Sequence, residues 1–148
     1  MRSEFIDVMW NGDDGDGIGR LTVRAAANDF AGQSSAWFNR TSVEAFGLLL
    51  KVFPLEPSPT LELDSGFGGS EPQIHVALRA YPVGPLGQVA IHVSLATPLW
   101  QDDRVDAQHR VTLELLTTYE RLNRFGVDLE RVTEGNGERA AVKGERLA

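Results

Sequence analysis

The chain has 148 residues, 42% of them hydrophobic, no cysteine and a net charge of −7. That length holds one core. The missing thiols exclude disulfides, thiolate metal sites and a cysteine nucleophile, and the acidic balance argues against nucleic acid, whose binders carry a basic face. No apolar run approaches the roughly 20 residues of a membrane span, and MRSEFIDVMW lacks the apolar centre of a secretory signal. The expectation is a cytoplasmic protein with no membrane contact.

Residues 4–10 alternate, with Ile6, Val8 and Trp10 on one face, which predicts a strand. NGDDGDGIG (11–19) is a loop of turn formers. Leu21, Val23, Ala25 and Ala27 share one face of a second strand over 19–28. Asn28-Asp29 with Gly32 predicts a hairpin turn, and residues 33–38 return as a third strand. Thr41 and Glu44 stand three apart, the spacing of a capping box. Val43, Phe46, Leu49, Leu50 and Phe53 follow with helical spacing until Pro54, Pro57 and Pro59 stop the helix.

A second series of strands starts at residue 60. Leu61 and Leu63 point inward from 60–64, SGFGGSEP (65–72) turns, and 73–81 and 88–95 alternate cleanly. Val111, Leu115, Leu116, Tyr119, Leu122 and Phe125 form a helical stripe, predicting a helix from about Asp106 to Phe125 with Gly126 as its C-terminal stop. Residues 133–148 show no apolar periodicity and read as a flexible tail. The expectation is one α+β domain over 1–132. It would be a two-layer sandwich, with a mostly antiparallel sheet of about six strands and both helices on one face, in the order βββα-βββα. The halves share that order without a residue-level repeat.

Three groups of residues invite a functional interpretation. Asp13, Asp14 and Asp16 sit among glycines, but in an EF-hand register both terminal carboxylates are missing, so the alternative is an exposed loop. Pairing of the second-series strands places Glu62, His75 and His92 in a row beside Arg79. Such a set suits zinc or acid–base work, although an open sheet face offers no pocket, and solvated cross-strand pairs are the readier explanation. Trp100, beside Asp102 and Asp103 in an otherwise polar loop, is the candidate interface anchor. No phosphate-binding glycine motif and no nucleophile elbow occurs, so no cofactor is expected. Residues 11–19 carry −3 and residues 101–106 carry −2, so two loops hold most of the charge, and Asp13, Asp14, Asp16, Asp102 and Asp103 with Trp100 form the candidate interface for a basic partner.

Arg20-Leu-Thr-Val-Arg-Ala25, Phe30-Ala-Gly32, Ala36-Trp-Phe38 and the Val43-Glu-Ala-Phe46 helix together resemble a family of small bacterial proteins of unknown function. Some of its members resemble immunity proteins encoded beside secreted toxins. An Arg-rich composition, twelve Arg to two Lys, fits a GC-rich bacterial genome. The resemblance spans about residues 19–125, supplies no catalytic residues and implies a non-enzymatic protein-binding module, of the kind that inhibits a basic toxin or enzyme. The alternatives are a small metal-binding protein or hydrolase using Glu62, His75 and His92, and an acidic homodimer like a secretion chaperone.

Overall fold

The computed structural model describes residues 4–12, 15–135 and 137–144. The fold is α+β, with two helices and two four-stranded antiparallel sheets. No helix among the described residues is long and apolar enough to cross a membrane.

The first three strands follow the alternation in the sequence. β1 (Phe5–Gly12) buries Ile6, Val8 and Trp10, β2 (Ile18–Ala27) buries Leu21, Val23, Ala25 and Ala27, and β3 (Phe30–Asn39) buries Ala36 and Phe38. The β2–β3 connection is the two residues Asn28 (φ 49°) and Asp29 (φ 75°), both left-handed as a tight hairpin requires. Gly32 therefore lies within β3 and not in the turn. It is needed there because a Cβ would come 2.5 Å from Val111 Cγ1.

Helix α1 (Arg40–Leu49) begins earlier than a capping box at Thr41 would allow, and its N-cap Asn39 makes no side-chain cap. The Arg40 N–H instead donates to the Gly17 carbonyl at 2.7 Å. Glu44 accepts from Arg40 Nε at 2.7 Å and from Thr133 Oγ1 at 3.1 Å. The helix stops before Phe53, because the following proline disfavours helical geometry there. Phe53 stands exposed, edge-on to Tyr119.

The second sheet holds β4 (Leu61–Phe67), β5 (Gln73–Val83), β6 (Gln88–Ala96) and β7 (Arg110–Thr118). β7 overturns the expected helix over 106–125. Leu113, Leu115 and Thr117 are buried at a spacing of two, while the spacing of four between Val111 and Leu115 suits either a strand or a helix. Helix α2 (Tyr119–Val132) starts only at Thr118, whose side chain accepts from Arg121 N at 3.2 Å. The stretch expected to be a loose tail contains β8 (Glu138–Lys143), which pairs with β1 and buries Ala140 and Val142.

Two sheets thus replace the expected single sheet of six strands. Their orders are β3-β2-β1-β8 and β4-β5-β6-β7. β3 crosses the second sheet: its Gly32 adjoins Val111 of β7, its Ser34 hydroxyl donates to Ala96 of β6, and its Trp37 carbonyl accepts from Ser65 of β4. Five residues of strand reach about 16 Å and three inter-strand spacings are about 14 Å, so β3 runs nearly perpendicular to its neighbours.

The halves are equivalent in topology, which the sequence order only hinted at. Each contains a three-stranded meander followed by a helix, and the strand after each helix joins the other half, β4 onto β5 and β8 onto β1. The helices share a short pattern, Val43-x-x-Phe46-Gly47-x-x-Leu50 and Leu122-x-x-Phe125-Gly126-x-x-Leu129, with each glycine the eighth residue of its helix. The two glycines meet at the helix crossing. Gly126 is therefore mid-helix, contrary to its expected place at a helix end.

Candidate functional site

The outward face of the second sheet carries a row of side chains across all four strands: Glu62 opposite Arg79, Arg79 opposite His92, and His92 opposite Glu114. Directly opposed side chains have Cβ atoms about 5 Å apart, so the two basic groups, Arg79 and His92, lie side by side between the two acids, Glu62 and Glu114. Tyr81 reaches over the small Ala90 to donate to Glu114 Oε2 at 2.6 Å. Burial and this carboxylate partner push the Tyr81 hydroxyl up to about 12. The Arg79 guanidinium lies 5.4 Å from the Tyr81 ring centre. Burial, helped by the Arg79 charge and opposed by Glu114, lowers the His92 pKa from 6.5.

Glu62 and His92 therefore share a row, but a guanidinium stands between them. His75 is four residues from Arg79, about 13 Å along β5, at a register shift of β5 against β4 that breaks the alternation of faces. It is 3% exposed, packed edge-on against Phe67 and bonded through Nε2 to Gln73 Oε1 at 2.9 Å. The structure does not bring Glu62, His75 and His92 together, and no group of three or more potential metal-ligating side chains occurs among the described residues. Glu114 and Tyr81 complete the row. Glu114 escapes a sequence reading that puts it on a helix, and Tyr81 counts there only as an outward strand residue.

His75 has a structural task. Gln73 Nε2 donates to the Leu99 carbonyl at 2.8 Å and Gln73 Oε1 accepts from the Leu99 N–H at 3.0 Å. This pairing fixes the orientation of the amide, so His75 Nε2 must carry the hydrogen toward Oε1. Burial lowers the His75 pKa, which keeps the ring neutral in that donor form near neutral pH. Gln73 and His75 together clamp the residue before Trp100.

Trp100 is 64% exposed, yet its position is fixed. Its N–H donates to Asp103 Oδ2 at 2.8 Å, its carbonyl accepts from Asp103 N at 2.9 Å, and its ring leans on Phe67 at 4.8 Å. Asp103 therefore closes the turn, while Asp102 is exposed. Trp37, also exposed, is tied through its carbonyl to Ser65, so both tryptophans adjoin the last three residues of β4. Trp10 is buried beneath Gly19.

Asp13 and Asp14 lie outside the described residues. Asp16 is exposed at the β1–β2 tip and accepts from Ile18 N at 3.0 Å. That tip is joined to the start of α1, whereas the Trp100 turn is joined to β5, and no hydrogen bond or ion pair links Asp16 with Asp102 or Asp103 among the described residues. His109, expected on a helix, precedes β7 and bonds to Thr97 through both its backbone groups.

No protein-family model, no curated protein and no solved structure matches the chain.

Proposed function

We propose that the chain is a protein-binding module whose contact surface centres on Trp100, with Trp37 and Phe67 beside it. The observation behind this is the fixed exposure of Trp100. An indole held in water by two backbone hydrogen bonds, an aromatic support and a clamped preceding residue has already lost the freedom that binding would otherwise remove. Tryptophan is one of the residues enriched at the energetic centres of protein interfaces. Asp102 at the edge of this surface favours a basic partner and a faster encounter. An immunity-type inhibitor of a basic toxin is the specific form that this proposal takes.

The test is affinity capture with the intact chain and with Trp100→Ala, followed by reconstitution with the purified partner. The expected result is a basic protein held by the native chain and lost, by at least about tenfold in affinity, in Trp100→Ala. Asp102→Ala should reduce the salt dependence of association. Equal affinity of the native chain and Trp100→Ala for the purified partner would refute this surface.

A further inference from the structure

β4 is an edge strand. Over Leu61–Asp64 it bonds to β5 on one side, and among the described residues its other side makes no backbone hydrogen bond. A groove of about 380 Å³ follows this free edge, lined by the four consecutive residues Leu61–Asp64 and by Ser42, Ala45, Phe46 and Leu49 of α1. Alternate residues of a strand point to opposite faces, so four in succession can line one groove only if it runs along the edge itself. The α1 wall follows the spacing i, i+3, i+4, i+7, one continuous stripe of the helix.

The other half of the fold has the corresponding place, between α2 and its edge strand β8, and fills it differently. That groove, about 250 Å³, is lined by Arg121, Arg124 and residues 141–143 of β8, including Lys143. Arg121 and Arg124 are the third and sixth residues of α2, and Ser42 and Ala45 are the third and sixth of α1. Long cations beside an exposed edge are a usual defence against strand pairing. At β4 the equivalent positions hold two of the smallest side chains, which leaves the edge accessible.

The charges on β4 itself are of one sign, although Arg79 of β5 stands opposite Glu62. Glu62 and Asp64 are exposed on the outer face, and neither makes a salt bridge among the described residues. Asp64 faces Ala77 on β5. A strand added to this edge would place alternate side chains beside Glu62 and Asp64, where basic groups fit, and the intervening ones over Phe46 and Leu49, where apolar groups fit. Because α1 walls the groove, the occupant is a single extended segment and not the edge of a folded sheet. We infer that the β4–α1 groove binds an extended segment of another protein by strand addition, selecting a sequence that alternates basic and apolar residues. This site adjoins the Trp100 surface, which begins at Ser65 of the same strand, but it is lined by different residues.

The probe is a fluorescein-labelled eight-residue peptide alternating lysine and valine, titrated with the full chain by fluorescence anisotropy. Saturable binding is expected. It should weaken at least about tenfold when alternate peptide nitrogens are methylated, and similarly when glutamate replaces lysine. Ser42→Arg with Ala45→Arg, which copies the α2 wall onto exposed helix positions, should abolish binding, and Glu62→Gln with Asp64→Asn should weaken it. Trp100→Ala should leave it unchanged, so this site and the Trp100 surface fail separately. The methylated peptide needs no altered protein and so decides the question even if a variant does not fold. Undiminished affinity for that peptide, loss of binding in Trp100→Ala, or absence of saturable binding up to about 1 mM would each overturn the inference. So would a dimer, seen by light scattering, that the double arginine variant disperses, because a second copy would then occupy the edge.

Discussion

The helix crossing gives the sharpest test of the packing. A Cβ at Gly126 would lie 2.5 Å from the Gly47 carbonyl oxygen and 3.1 Å from both Leu50 Cβ and Lys51 Cγ. The main obstacle is backbone, so no side-chain rotation relieves it, and the helices must part by nearly 1 Å. A gap of about that size forfeits a quarter to a half of each contact it opens, and the contacts here include Phe46, Leu50, Phe125 and Leu129, all buried. Overpacking of this kind costs about 1–3 kcal/mol, and the backbone source of the clash puts Gly126→Ala near the upper end. Against this, alanine gains about 1 kcal/mol of helix propensity over glycine. The expected net loss is about 2 kcal/mol, or a fall in Tm of about 6–8 °C for a chain of this size. Urea denaturation and thermal melts measure it. Gly68→Ala, where a Cβ would meet nothing within 4 Å, is the control and should stay within about 0.5 kcal/mol of the native chain. Gly47→Ala should act in the same way, since its Cβ would lie 2.7 Å from the Gly126 carbonyl oxygen. The double substitution should cost less than the sum, because helices already pushed apart accept the second methyl group more easily. A Gly126→Ala variant as stable as the native chain would refute the close crossing.

Gln73→Leu removes both bonds to Leu99 and the partner of His75 Nε2, so it should cost about 1–3 kcal/mol. It should also speed hydrogen exchange at the Leu99 amide, and unchanged exchange there would argue against the clamp. Burial lowers the pKa of both His75 and His92 from 6.5. The unfolded chain therefore protonates these rings first, and stability should be complete above about pH 6.5 and decline as the pH falls from 6.5 toward the lower folded values. Denaturation across that range should show a smaller decline in His75→Gln and in His92→Gln, and identical pH profiles would refute the assignment. Val142→Asp buries a carboxylate at a position 3% exposed and should cost at least about 3 kcal/mol. Ala141→Lys, on the exposed side of the same strand and opposite Asp7, should be nearly neutral, and equal losses at both positions would show that β8 is not docked on β1.

Strands with strict alternation were legible in the sequence because their period is local. Ile6, Val8 and Trp10, and Leu21 through Ala27, identify their own buried face. Where the signal fitted both periods, the reading failed. Val111, Leu115, Tyr119 and Leu122 make a helical stripe, yet the first two belong to β7 and the last two to α2. Leu113 and Thr117, buried between them, mark the strand. β8 was missed for a different reason. Glu138-Arg-Ala-Ala-Val-Lys143 offers the core only two small apolar residues, Ala140 and Val142, and it becomes a strand by completing the β1 edge, a long-range contact that no local pattern encodes. Sheet order depends on the same kind of contact. Antiparallel meanders were readable, but the exchange that puts β4 on β5 and β8 on β1 was not, so two sheets were taken for one.

The candidate sites were legible to the extent that they rest on single residues. Trp100 is legible as a lone aromatic in a polar loop and is exposed, whereas the turn that the Asp103 carboxylate closes against the Trp100 N–H is not. The row through Glu62, Arg79, His92 and Glu114 requires the register of four strands, and an offset of four residues on β5 is enough to remove His75 from it. The β4 groove needed more still. Ser42 and Ala45 are ordinary helix residues until compared with Arg121 and Arg124 at the equivalent positions of α2, and the sequence alone does not show that Glu62 lies on an edge strand. Net charge misled in the same way: the acidic loops are anchored on different elements, and the carboxylates with an open backbone edge beside them lie within a strand. In the proposed groove, the open backbone edge beside Glu62 and Asp64 is what would give these carboxylates a partner, and that edge follows from topology rather than from the number of charges in a segment.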